Sequence, residues 1–198
     1  MILMTPLAMP KIVPNNWDEW WDVWHKHSAV VTKTYKNHND TQGLWKGLDL
    51  YNSTRYPITT IYSAPPAPKC AVIDDLVNQV RNSIPIIPTK IRVIENLDVV
   101  LPHSDHPYEK EELRSFLWNE YDEPVWEFEY KGIKKQLVLP ESTNTWYYKD
   151  YPMTHSSIHK AGKSKGVLIV YGIQKPEFQE FVKDSADKFK DYSWVLST

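Results

Sequence analysis

The residues best suited to chemistry are His103 and Asp105, one serine apart at the end of the apolar stretch 98–101. In an extended segment residues i and i+2 point to the same side, so an imidazole and a carboxylate leave one strand end together. One more imidazole from a distant strand completes a two-histidine, one-carboxylate facial triad. That set holds non-haem Fe(II) and leaves positions open for substrate and O2. The segment 150–159 offers two histidines for the third place, His155 and His159. Lys165 stands ten residues after His155, where the apolar run 167–171 begins. A cation there can pair with the distal carboxylate of a dicarboxylate cosubstrate.

These residues need strands to hold them, and the second half of the chain reads that way. Strands are expected at 90–96, 97–101, 114–119 and 125–130, the last alternating as Val-Trp-Glu-Phe-Glu-Tyr. Lys131-Gly132 suits a hairpin turn into 133–139, and further strands are expected at 145–149, 154–159 and 166–173. Short strands at close spacing indicate a sandwich or barrel rather than βαβ units. Ahead of them, Trp17, Trp20, Trp21 and Trp24 fall at i, i+3, i+4 and i+7 after Asn16, a helix face with its N-cap. This tryptophan face reads as a packing surface, with a partner or substrate surface as the rival reading. Residues 37–70 read as irregular with at most short strands, 72–82 as a second helix, and 177–189 as a third.

Composition sets the outer limits. At 198 residues, 41% apolar and 24% charged, the chain fits one globular domain with a real core. A net charge of −2 argues against nucleic acid as the main partner, although Lys160, Lys163 and Lys165 suggest a local basic patch. Cys70 is the single cysteine, so no internal disulfide forms and a reducing compartment is expected. The N-terminal stretch lacks a basic n-region, and no apolar run approaches the roughly 20 residues that span a bilayer. The expectation is a soluble, intracellular, cytoplasmic protein without a membrane partner. Its Lys, Asn, Tyr and Ile usage matches an AT-rich genome, that of a virus included.

At this point the matching stretches can be put together: IRVIENLDVVLPHSD, ELRSFLWN, VWEFEYKG and MTHSSIHKAGKSKGVLIVYG. Residues 89–173 resemble the core of the 2-oxoglutarate/Fe(II)-dependent oxygenases and are most similar to the aspartyl/asparaginyl β-hydroxylase-like branch. The resemblance implies a mainly β fold with flanking helices, a double-stranded β-helix or cupin-like jelly roll. It implies one domain over 1–198, with an N-terminal helical or irregular extension at 1–88, the core at 89–174 and a C-terminal helix at 175–198. His103, Asp105 and His155 match the family's iron ligands; the ten-residue step to Lys165 favours His155 over His159. Lys165 stands where the family usually has an arginine for the C5 carboxylate of 2-oxoglutarate. Arg114 matches an arginine that in this branch contacts the other end of the cosubstrate. Phe116 departs from the branch, which often has histidine there. The implied activity is hydroxylation with Fe(II), 2-oxoglutarate and O2, releasing succinate and CO2.

Two other readings compete: a cupin-like metalloenzyme that does not use 2-oxoglutarate, and a non-catalytic jelly-roll binding module. The substrate class stays open between a small molecule and a peptide or protein side chain. Trp118, Trp126 and Trp146 suit either a substrate pocket or the core. His106 reads as peripheral, and His25, His27 and His38 as exposed or locally bonded.

Overall fold

The computed structural model describes residues 1–34, 42–53, 64–104, 111–149 and 153–196. In chain order the elements are β1 (Ile2–Pro6), α1 (Trp17–His27), β2 (Ala29–Thr34), β3 (Gln42–Asn52), α2 (Ala71–Ser83), β4 (Ile86–Asn96), β5 (Val100–His103) and β6 (Glu111–Asn119). They continue with β7 (Trp126–Tyr130), β8 (Ile133–Gln136), β9 (Thr145–Tyr148), β10 (Thr154–Ser157), β11 (Lys165–Gln174), α3 (Phe178–Lys188) and β12 (Trp194–Val195). Two antiparallel sheets result, ordered β12-β1-β9-β6-β11-β4-β3-β2 and β5-β10-β7-β8.

From β4 to β11 the chain passes between the sheets repeatedly. β4, β6, β9 and β11 lie together in the large sheet, and β5, β7, β8 and β10 make the small one. That crossing pattern is the double-stranded β-helix, so the fold is mainly β with flanking helices, as expected. Where the sequence reading left 37–70 irregular, β3 is an eleven-residue strand paired along β4, and β1 and β2 also join the large sheet. The β7–β8 hairpin turns at Lys131 and Gly132, both with positive φ (50° and 78°), the geometry of a tight type I′ turn.

Two cores lie on opposite faces of the large sheet. On the outer face α1 and α2 bury Trp20, Trp24, Leu76 and Val80 against Leu48, Val93, Leu117 and Leu168. Asn16 caps α1 through its side chain (3.1 Å to the Glu19 N–H), with acidic residues in the first turn and basic ones in the last. Trp20 and Trp24 are sealed and Trp21 is partly buried, so the tryptophan face is mainly packing; Trp17 stays exposed at the helix end. No described helix is long and apolar enough to cross a membrane.

Trp118 is the centre of that outer core, its ring 5.0–6.3 Å from those of Trp20, Trp21 and Trp24. It lies over Gly166 on the adjacent strand, where a Cβ would fall inside the indole ring. Gly166→Ala is therefore expected to cost about 1–3 kcal/mol of overpacking, read from urea denaturation. An unchanged midpoint would refute this.

The inner core fills the space between the sheets with Ile94, Trp126, Phe128, Trp146, Tyr148, Val167, Ile169 and Tyr171. Register puts the inward residues of the large sheet into rows. Asp49, Arg92, Ile169, Arg114 and Trp146 occupy successive strands at one level. Lys165 lies at the start of β11, two inward positions before Ile169.

Candidate functional site

His103 ends β5 and His155 opens β10, and the two strands are hydrogen-bonded neighbours with these residues as direct register partners. Their ring centres are 4.4 Å apart with planes tilted by 52°. Both are buried, at 8% and 2% exposure. The Nδ1 of His103 is 2.8 Å from the Leu101 carbonyl oxygen. A carbonyl only accepts, so Nδ1 is the donor of this bond, and in the neutral ring Nε2 is then the nitrogen with the lone pair. Fixing the tautomer through the other ring nitrogen is what an ordered metal ligand requires.

Two imidazoles on adjacent positions of one metal, with metal–nitrogen distances of about 2.1 Å, have ring centres about 4.5 Å apart. The observed pair fits that spacing. Asp105, the expected carboxylate, lies outside the described residues, as do His38 and His106. Among the described residues no group of three metal-binding side chains occurs.

Around His155 stands an aromatic wall: Trp126 at 5.3 Å, Tyr148 at 5.4 Å and Phe128 at 6.3 Å between ring centres. The guanidinium of Arg114 is buried against the same wall, 4.8 Å from the Trp126 ring and 5.1 Å from that of Tyr148. Arg114 thus shares Trp126 and Tyr148 as neighbours with His155. The alternation of β7 with β10 explains the convergence, since Trp126 and Phe128 are register partners of Ser157 and His155.

Lys165 opens β11 with 1% exposure, and its ammonium donates to the Ile158 carbonyl at 2.6 Å. It also stands 4.9 Å from the Tyr121 ring centre. Burial away from water lowers its pKa to about 8. The anticipated basic patch is absent because its members are spoken for. Lys163 binds Asp122 at 2.8 Å, which raises the amine's pKa and lowers the carboxyl's; Lys160 pairs with Glu123, and Lys165 is inside.

His159 follows the end of β10, four residues past the His103 partner, and is half-buried. His25 and His27 are exposed, His25 stacked on Trp21. Of the three tryptophans, Trp126 and Trp146 line the barrel interior, while Trp118 belongs to the outer core.

Sequence reasoning missed the buried cluster in which Asp49 holds Lys90 at 3.1 Å and Arg92 at 3.0 Å. The signal was present: Lys90 and Arg92 alternate with the apolar Ile91 and Val93, and Asp49 stands between Leu48 and Leu50. It missed Tyr121 as well, which no spacing rule connects to Lys165.

The fold is a double-stranded β-helix that carries a buried, register-paired couple of histidines on its small sheet. No family model matches the chain, and no curated protein does. Among solved structures it is similar to an oxidoreductase of the 2OG-Fe(II) oxygenase family from Burkholderia pseudomallei, at 9% identity and a TM-score of 0.48, over 79% of this chain and 78% of that one. It is also similar to a prolyl hydroxylase in complex with a hypoxia inducible factor oxygen degradation domain peptide fragment, from Trichoplax adhaerens. That likeness has 11% identity and a TM-score of 0.34, over 58% of this chain and 56% of that one.

Proposed function

We propose that the chain is a 2-oxoglutarate- and Fe(II)-dependent oxygenase that hydroxylates a small molecule or a peptide or protein side chain, in the aspartyl/asparaginyl β-hydroxylase-like branch. The observation that carries this reading is the buried, register-paired His103–His155 couple with the His103 tautomer fixed by Leu101. In this reading His103, Asp105 and His155 hold Fe(II), Lys165 takes the distal carboxylate of 2-oxoglutarate, and Arg114 faces its other end. Bound there, Fe(II) and 2-oxoglutarate supply with O2 the oxidising chemistry, which no side chain of this chain could supply.

The protein's own contribution is to hold, orient and exclude water. Leu101 fixes which nitrogen of His103 is available. Trp126, Phe128 and Tyr148 keep the His155 side of the site apolar, which strengthens every charge interaction in it. A buried ammonium at Lys165 is costly without an anion, and a carboxylate offsets that cost. The lysine also favours a dicarboxylate-using enzyme over a cupin that needs only the metal.

Anaerobic titration with Fe(II) and then 2-oxoglutarate tests the reading. It should give the weak visible charge-transfer band of the chelate, and failure to bind either would sink it. A pH prediction follows from Lys165. The charged amine is the form that binds carboxylate, and its pKa is lowered to about 8. Affinity for 2-oxoglutarate should hold to about pH 7, weaken through pH 8, and then fall about tenfold per unit. Lys165→Arg should flatten that profile, because guanidinium keeps its proton. A pH-independent wild type would contradict the assignment.

A further inference from the structure

Tyr121 lies just beyond β6, buried at 7% exposure, in the segment that leads to β7. Its hydroxyl is pinned from two sides, accepting from the Lys160 N–H at 3.1 Å and donating to the Lys163 carbonyl at 3.3 Å. Both partners belong to the loop that runs into Lys165. The same two loops are braced around it. The Ser164 N–H donates to Glu120 Oε2 at 2.7 Å and the Glu120 N–H to the Ser164 carbonyl at 3.0 Å. Trp118 Nε1 donates to the Ser164 hydroxyl at 2.8 Å, and the Lys163–Asp122 and Lys160–Glu123 pairs close the outside.

Inside this clasp, among the described residues, the Lys165 ammonium meets the Ile158 carbonyl and the face of the Tyr121 ring. A carbonyl dipole and a ring quadrupole attract an ammonium without neutralising it, so its full charge remains for an incoming anion. The chain thus forms a closed circuit: the loop holds the phenol, the phenol fixes the ring, and the ring faces the ammonium that ends the loop.

We propose that Tyr121 is the positioning residue for the carboxylate-binding lysine, its ring setting where the Lys165 ammonium stands and keeping it charged. The proposal rests on the reading of Lys165 as the cosubstrate's anchor, but the contact itself can be measured without cosubstrate.

The test uses the full chain with 13C-labelled lysine. The Lys165 signal is followed against pH in metal-free protein, and 2-oxoglutarate affinity is measured with Fe(II) present under anaerobic conditions. Tyr121→Leu should lower the Lys165 midpoint by about one unit and weaken 2-oxoglutarate about tenfold, with Fe(II) affinity unchanged. Tyr121→Phe keeps the ring but loses the two hydrogen bonds that pin it, so it should lower both by clearly less than Tyr121→Leu does. Ring-fluorinated phenylalanines at position 121 provide a series with little change of shape, and the midpoint should fall as fluorination weakens the quadrupole. A midpoint indifferent to leucine and to fluorination would overturn the proposal, as would a loss in Tyr121→Phe equal to that in Tyr121→Leu. Wild-type protein that shows these titration shifts but binds no 2-oxoglutarate would keep the Tyr121–Lys165 contact and remove the cosubstrate reading instead.

Discussion

His155→Ala is expected to reduce Fe(II) affinity by more than about 100-fold and to abolish turnover, whereas His159→Ala leaves both within about twofold. The magnitude follows from what a direct ligand contributes, since loss of an outer-shell partner alone costs 10- to 100-fold. The asymmetry follows from register. His155 is the direct partner of His103 on the neighbouring strand, and their rings are 4.4 Å apart. His159 has left the strand by then. Calorimetric titration of metal into apo protein measures the affinity. Because His155 is sealed among Trp126, Phe128 and Tyr148, unfolding of the apo variant should be followed alongside, to separate lost binding from lost fold. The opposite ranking of the two variants would move the third ligand to His159.

The largest stability effect should come from Trp118→Ala, at about 3–5 kcal/mol in chemical denaturation. The ring meets three tryptophans of α1, fills the space over Gly166, and donates its N–H to Ser164. Removing it opens a cavity between helix and sheet that rigid neighbours cannot close. The cost of Gly166→Ala should then vanish in the Trp118→Ala background, because the overlap it creates is with that ring. Additive costs would show that Gly166 is constrained by something else.

The strands of the barrel were legible because an element buried on one face writes its period into the sequence, as Val-Trp-Glu-Phe-Glu-Tyr does. Asn16 was legible for the same local reason, a side chain capping its own helix. β3 was not. Its glycines and Asp49 weaken any strand signal, and its conformation is set by pairing with β4, a contact that its own residues do not encode. Trp118 was ambiguous because its face depends on a register shift. The bulge opposite Gly166 and Val167 turns both Leu117 and Trp118 outward, while Phe116 stays inside. For the site, the ten-residue step from His155 to Lys165 was visible along the chain. Tyr121 reaches Lys165 only across two loops, and that convergence belongs to the fold.

The position of β10 between β5 and β7 has a consequence for assembly. The β7–β8 hairpin can form from neighbouring residues within microseconds. β10, by contrast, must insert between strands from far earlier in the chain, so His103 and His155 become neighbours only after long loops have closed. The histidine couple is thus absent from the unfolded chain and from early partly folded forms. Any ion that needs both imidazoles therefore binds the finished barrel alone, and its binding energy becomes folding energy: about 2.7 kcal/mol at a hundred times its dissociation constant. If that ion is the Fe(II) of the proposed function, its supply would govern how long the chain persists as well as how fast it works.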